Sequence, residues 1–344
     1  MGDTGRRLRE QRLATGWTQG ELADRADVSR ALVGALERGR HMPAADAAIR
    51  LARALGTTVE RLFDPAAAHP DRAAITVSGG RPPEGALVRA AWVDDVLVTG
   101  VLDPISALGT VGASADGVVR GGCLRLFAGA AAQGAVIAGC DPVLGIAEGL
   151  LERRGASRIV GVAATSGQAI EALEAGRCHG VLAHGPARLL APPAGVRRWH
   201  LARWRSGLAT HPALSRPSLQ ALLSGDIDVV QRDRSAACQQ AVERAARRLG
   251  AARPKPRRVA GGHLDAARAA LERHGGAVAI EPVALAMGLD FTELELHDVE
   301  LWVPDRLVAL PGIQALLDLM STARFRDRAG ALPAYDLTDT GAIR

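Results

Sequence analysis

The sequence predicts a multidomain protein, an all-α head of five short helices over residues 1–63 followed by a much longer α/β part. Three observations carry this reading. Residues 1–63 alternate helix-capping residues with apolar runs of helical period. From about residue 134 the texture changes to strand-like apolar runs alternating with amphipathic helices, joined by short turns. Between the two lies residues 64–84, "DPAAAHPDRAAITVSGGRPPE", rich in Pro, Gly and Ala and read as a linker. At 344 residues the chain has room for two domains or more, at about 150 residues each.

In the head, "GRRLREQRLAT" (residues 5–15) sets Leu8 and Leu13 among charges, an amphipathic helix closed by Gly16. Thr18 caps a second helix, and Glu21 completes a capping box with it. Ala26-Asp27-Val28 forms a corner. Ser29 caps a third helix that runs to Arg38 and stops at Gly39. Leu22, Val28, Leu32, Val33 and Leu36 are expected to face inward, and Glu37 is assigned to the fold. Pro43 is expected to open a fourth helix through Leu55, and "TTVERLF" a short fifth. Two short helices around a tight corner are a shape that fits DNA.

The part from residue 85 to 344 divides into a β-rich segment (85–131) and α/β lobes (132–330). "ALVRAAWVDDVLVTGVL" holds two β runs across an Asp94-Asp95 turn. Then "GAVIAG", "RIVGVAA", "GVLAHG", "DVVQRD" and "AVAIEP" read as strands. "DPVLGIAEGLLERRG", "SGQAIEALEAG", "SLQALLSG", "RSAACQQAVERAARRLG" and "HLDAARAALERHG" read as helices. This order implies a largely parallel sheet. No fixed-period repeat is present.

Composition narrows the function classes. Apolar residues make up 48% of the chain, but Phe, Trp and Tyr total ten, too few for a base-stacking platform on single strands. Residues 1–63 hold eleven Arg and eight acids, a net +3 out of the chain's +5, compatible with phosphate contact. Cys123, Cys140, Cys178 and Cys238 form no C-x-x-C and are expected to be reduced, mostly buried thiols of a cytoplasmic protein. No apolar run approaches the length of a membrane span, and the N-terminus lacks a signal-peptide core. There is no G-x-S-x-G, no H-E-x-x-H, no Walker-type loop and no G-x-G-x-x-G fingerprint, so no enzyme, cofactor or metal site is expected. The neighbours Cys178, His179 and His184 do not have ligand spacing.

The segments "TQGELA", "VSRALVGALERG" and "RLARALGTTVERLF" resemble the Xre-type helix-turn-helix family, to which phage repressors are related. The resemblance implies that Gln19 binds a phosphate and that Ser29, Arg30, Ala31 and Gly34 point toward the major groove. It places Arg38 and Arg40 near the flanking backbone. Arg can pair bidentately with guanine, which makes Arg30 the expected base reader. One head reads half a site, so a homodimer on double-stranded operator DNA is expected, with half-sites about 34 Å apart.

From about residue 86, "AWVDDVLV", "AGCDPVLGIAEGLL", "SGQAIEALEAGRCHGVLAHG", "RWRSGLA", "GGHLDAARAAL", "GLDFTELELHDVELWVP" and "YDLTDTG" resemble a further group. These are bacterial regulators that join such a head to a periplasmic-binding-protein-like domain of the molybdate- and molybdopterin-associated type. This implies two α/β lobes joined by crossing strands near 197–208 and 296–304, with a small-molecule effector in the cleft. In open α/β sheets, ligands bind where strands end and helices begin, at backbone N–H groups that favour anions. The residues at such junctions are Cys140, Asp141, Thr165, Ser166, His184, Arg232, Arg234, Ser235, His263 and Glu281. Asp141 also reads as a cap before Pro142, and Ser166 as an N-cap.

One stretch departs from its relatives. Where many carry an Asn-Arg pair and a small-residue turn ending in Arg, this chain has Gln231-Arg232, then Ser235-Ala236-Ala237 and Gln239. The turn that would suit molybdate or another tetrahedral oxyanion is thus degraded, and the expected effector is an unidentified oxyanion or metabolite. The alternatives are a differently shaped, larger or less charged ligand, and a cleft that binds nothing and serves only for dimerisation. The expected function is a ligand-responsive transcriptional regulator. Its alternatives are a DNA-binding protein with a ligand-free interaction module, and a molybdenum-cofactor-related enzyme or carrier.

Overall fold

Five helices arise where capping chemistry and apolar period agree: α1 (Asp3–Ala14), α2 (Gln19–Arg25), α3 (Arg30–Glu37), α4 (Ala45–Ala54) and α5 (Val59–Phe63). The computed structural model describes residues 3–39, 41–63, 73–102, 114–127, 130–151, 155–251 and 258–344. Thr18 and Glu21 form the reciprocal capping box on α2, and the Ser29 hydroxyl accepts from the Leu32 N–H on α3. Between them Asp27 takes a left-handed φ of 50°, which short polar side chains tolerate at a sharp corner. Leu8, Leu22, Val33, Leu36, Leu51 and Leu62 close the core of the head. The fourth helix starts at Ala45, after an extended Ala44, rather than at Pro43.

Residues 73–77, assigned by composition to the linker, are instead part of a sheet. Strand β1 (Ile75–Thr76) lies parallel to β3 (Val96–Val101), because Ile75 and Val77 turn apolar side chains toward a core that the Pro/Gly texture hides. With β2 (Leu87–Val93), β4 (Gly117–Arg120) and β5 (Cys123–Leu126) they form a sheet of order β1-β3-β2-β4-β5. The β2–β3 corner is Asp94-Asp95, with Asp94 at φ 49°.

A second sheet, of order β11-β10-β12-β9-β13-β8-β6-β7, forms the rest. Three parallel strands, β6 (Ala135–Gly139), β7 (Ile159–Ala163) and β8 (Gly180–Gly185), belong to a first lobe. Around them lie α6 (Val143–Leu150), α7 (Ser166–Glu174), α12 (Pro311–Met320) and α13 (Ala323–Ala329). Three others, β10 (Val229–Arg232), β11 (Val259–Ala260) and β12 (Gly276–Ile280), belong to a second lobe. It carries α8 (Leu219–Ser224), α9 (Ala237–Arg248), α10 (His263–Glu272) and α11 (Glu281–Ala286). Two long strands, β9 (Val196–Thr210) and β13 (Asp290–Pro304), pair antiparallel along their length and run through both lobes. The sheet is thus two parallel halves joined by an antiparallel pair. These crossing strands overrun the expected 197–208 and 296–304 at both joints.

The first sheet shares one apolar core with the first lobe, through Val77, Ala91, Val93 and Val98 against Val136, Val160, Val162 and Leu173. A buried bidentate pair reinforces that contact: Arg158 donates to Asp116 Oδ1 at 2.9 Å and Oδ2 at 2.6 Å. The last residues return along β9, where Arg203 and Asp336 exchange backbone hydrogen bonds and Ile343 faces Trp199. Among the described residues no helix is long and apolar enough to cross a membrane.

Candidate functional site

The head presents Ser29, Arg30 and Ala31 as exposed residues at the start of α3, and Arg38 exposed just past its end. Gln19 is half-buried. Its Nε2 donates to Glu37 at 2.8 Å, and Glu37 also receives Arg12 Nε at 2.6 Å. Arg12 Nη1 donates to the Trp17 carbonyl at 2.6 Å. The buried Arg12–Glu37 pair, its ends 25 residues apart in the chain, therefore ties α1 to the last turn of α3 and holds the helix that carries Arg30. Gly34 is buried: a Cβ there would lie 3.2 Å from Arg38 Nη1 and 3.6 Å from Gln19 Oε1. Its bareness makes room for these two side chains. Arg40 lies outside the described residues.

In the second sheet, the strand ends of both lobes meet. Cys140 and Asp141 follow β6, Thr165 and Ser166 follow β7, and His184 closes β8. Arg232 ends β10, Ser235 precedes α9, and His263 opens α10 beyond β11. The structure brings most of these together. Cys140 Sγ lies 3.3 Å from His184 Nε2 and 3.5 Å from His263 Nε2, the latter contact crossing between lobes. Thr165 Oγ1 and Ser235 Oγ are 2.6 Å apart, and the Gly167 N–H donates to the Ser235 carbonyl at 3.1 Å. A Cβ on Gly167 would sit 2.7 Å from Ser235 Cβ, so glycine is what permits this approach. Thr165, not Ser166, is the N-cap of α7, with Gln168 completing its capping box.

Two of the expected residues sit apart from this cluster. Arg234 is exposed, and Glu281 pairs with Arg205 at 3.2 Å. Asp141 is saturated from within: its carboxylate accepts from the Val143 N–H, from Trp204 Nε1 at 2.8 Å and from Tyr335 Oη at 2.7 Å. Burial pushes its carboxyl upward, against these three donors.

The departure at 231–239 has a definite geometry. Gln239 Nε2 donates to Gln231 Oε1 at 2.8 Å while Gln239 Oε1 accepts the Arg232 N–H at 2.9 Å. This amide pair fixes the backbone of Arg232, a residue 2% exposed. Arg232 donates Nη2 to the Gly261 carbonyl at 3.2 Å, but Nε and Nη1 have no hydrogen-bond partner, and among the described residues no carboxylate forms a salt bridge with it. Ser166 Oγ and His263 Nδ1 are likewise buried and unpartnered. Burial holds His184 and His263 well below the usual histidine range, helped by His297 and then Arg232 at His184 and by Arg232 first at His263, so both rings are neutral at neutral pH. Burial also pushes the Cys140 thiol up to about 11, partly offset by Arg232.

Behind His184 stands a row that sequence reasoning missed. His184 Nδ1 lies 3.1 Å from His297 Nδ1, and His297 Nε2 lies 3.5 Å from Glu295, which Arg244 grips with two hydrogen bonds. Irregular pairing in β13 between Glu293 and Glu295 accompanies the inward turn of Glu295. Burial would raise the Glu295 carboxyl, but Arg244 and then His297 overcome it and hold it at about 2. Its folded value is thus depressed from 4.5, so its contribution to stability is complete above about pH 4.5 and is lost as the pH falls toward 2. Melting temperatures over that range should fall less steeply for Glu295→Gln than for the parent chain. Equal slopes would remove Glu295 from the acid transition.

Comparison with known proteins follows the same division. Residues 3–63 match the family described as a helix-turn-helix domain, and residues 148–321 the family described as a PBP superfamily domain. An uncharacterized HTH-type transcriptional regulator of Methanothermobacter thermautotrophicus is 51% identical over 57 residues, covering 16% of this chain and 83% of its own. The restriction-modification controller protein C.AhdI of Aeromonas hydrophila is 38% identical, covering 18% of this chain and 92% of its own, with a TM-score of 0.17. The regulatory domain of HypT from Salmonella typhimurium, in a bromide-bound structure, is 12% identical over 58% of this chain and 96% of its own, with a TM-score of 0.44.

Proposed function

We infer function from a premise of membership: the chain belongs to the PBP superfamily through residues 148–321 and to the HTH-type transcriptional regulators through residues 3–63. It is a DNA-binding transcriptional regulator. The finer reading is that an anionic small molecule, held where the two lobes meet, controls the grip of paired heads on operator DNA.

On the DNA side, the reading rests on the exposed start of α3. Arg30 reads a base edge, Ser29 and Ala31 lie beside it, and Gln19 and Arg38 contact the phosphate backbone, with Arg40 continuing that role. Arg30→Ala should weaken specific operator binding by about 1–3 kcal/mol and relax preference at one position. A gel-shift series with unchanged sequence preference would remove Arg30 as the reader.

On the effector side, one observation carries the reading: Arg232 is buried with two donor nitrogens unpartnered, and among the described residues no carboxylate forms a salt bridge with it. A buried guanidinium without an anion is costly, and an anion that accepts from it recovers that cost through charge-assisted hydrogen bonds. Ser166 Oγ in the first lobe and His263 Nδ1 in the second supply further unpartnered atoms for the same ligand. Because the ligand touches both lobes, it favours their closed arrangement, and closure alters the spacing of two heads in a homodimer.

A thermal-shift screen with sulfate, phosphate, molybdate, tungstate, amino acids and pterin-like compounds tests this. An anion at a hundred times its dissociation constant should add about 2.7 kcal/mol of stability. No shift with any of them would favour an α/β part that serves as a ligand-free interaction module, held shut by contacts such as Thr165–Ser235, Gly167–Ser235 and Cys140–His263.

A further inference from the structure

The cluster of Cys140, His184 and His263 has a second property, which depends on different atoms from the anion reading. A tetrahedral zinc-type ion sits about 2.3 Å from sulfur and about 2.0–2.1 Å from imidazole nitrogen, which sets sulfur and nitrogen about 3.5 Å apart. The observed separations are 3.3 Å to His184 Nε2 and 3.5 Å to His263 Nε2, and all three ligand atoms lie within 4.8 Å of one another. Side chains from two lobes, separated by 123 residues, thus already stand at coordination spacing.

Their surroundings favour coordination too. Metal-bound imidazoles usually donate their other N–H to a partner that fixes ring and tautomer. With His184 Nε2 on the metal, its Nδ1–H faces His297 Nδ1 at 3.1 Å, and His297 Nε2–H faces the Glu295 carboxylate, itself held by Arg244. The row His184–His297–Glu295–Arg244 is that support, its first link a 3.1 Å hydrogen-bond contact and its second a 3.5 Å ion-pair contact that leaves His297 Nε2 short of a hydrogen bond. His263 has no such support: its Nδ1 is buried without a partner. It is the ligand that arrives with the second lobe.

We propose that Cys140, His184 and His263 form a site for a thiophilic divalent transition-metal ion of the zinc class, completed only when the two lobes meet. As the metal–sulfur bond forms, the Cys140 proton leaves to solvent, and both imidazoles bind neutral. Three protein ligands leave a fourth position open. Arg232 beside the thiol opposes an unbalanced dication, so that position takes an anion. The metal site shares a wall with the anion site above but does not rest on it. Stabilisation by an anion in chelator-treated protein would stand even where no metal bound.

The test is a cobalt(II) titration of the full chain, chelator-treated and kept reduced. One equivalent should produce a thiolate-to-cobalt charge-transfer band with intense tetrahedral d–d bands, and zinc(II) should displace both. Cys140→Ser should abolish the charge-transfer band, and His263→Ala should weaken cobalt binding about tenfold or more. Cys238→Ser should keep the full spectrum. Zinc(II) should also raise the melting temperature of the unmutated chain, a readout independent of any variant's folding. Absence of the charge-transfer band in the unmutated chain, or its survival in Cys140→Ser, would overturn the proposal.

Discussion

Glu37→Ala is expected to unfold the head under conditions where the unmutated chain is intact, and with it to abolish operator binding. The Glu37 carboxylate sits at the end of α3 with its side chain 4% exposed and receives Arg12 Nε, Arg12 Nη2 and Gln19 Nε2. Removing it leaves a buried guanidinium, itself 8% exposed, without its counter-charge. Breaking a buried pair from one side costs about 3–5 kcal/mol. A helical unit of about sixty residues buries too little surface to absorb that loss. Circular dichroism melting of the full chain should show an early helical transition in the variant, and a duplex that binds the parent should not shift. The double variant Arg12→Met/Glu37→Leu removes both charges together and should recover most of the stability. If Glu37→Ala melted like the parent, the pair would be a surface contact and the positioning of Arg30 would need another cause.

The second large effect lies at Arg232, and it has two signs. Arg232→Met removes a buried guanidinium that makes one side-chain hydrogen bond, to the Gly261 carbonyl, while the backbone bond from residue 232 to Gln239 remains. The ligand-free chain should therefore become more stable, by about 1–4 kcal/mol, as when buried charges give way to apolar side chains. Stabilisation by any anion found in the screen should vanish in the same variant. Stability traded for binding marks a residue kept for its ligand. A variant that is less stable and still responds to the anion would show that Arg232 holds the fold instead.

Much of this arrangement was legible along the chain, because it follows from local chemistry. Thr18, Glu21 and Ser29 announce the corner that carries Arg30, and those interactions involve residues three apart. Cys140, Thr165, His184, Arg232 and His263 could be picked out because a strand-to-helix junction is recognisable in sequence, and junctions of one sheet gather at one edge. What could not be read is pairing between distant segments. Arg12 and Glu37 look like two more surface charges until α1 lies on α3. His297 and Glu295 alternate with exposed Leu296 on β13 and resemble an ordinary polar strand face. Tyr335 belongs to a tail of short turns along β9 whose local pattern does not name its distant partner, yet it reaches Asp141 across 194 residues. The linker misassignment has a similar cause: Ile75 and Val77 sit in a Pro/Gly-rich stretch, and only the shared core with the first lobe reveals them as sheet residues.

The most direct measurement is fluorescence anisotropy of a duplex selected from a random pool by the full chain, titrated with and without a saturating anion identified by its thermal shift. Occupation of the lobe junction should change duplex affinity about 5–150-fold, and the duplex should change anion affinity by the same factor. Arg232→Met should bind the duplex with one affinity at every anion concentration. Superimposable isotherms for the unmutated chain, with anion binding verified by calorimetry in the same buffer, would contradict the claim that the lobes govern the heads.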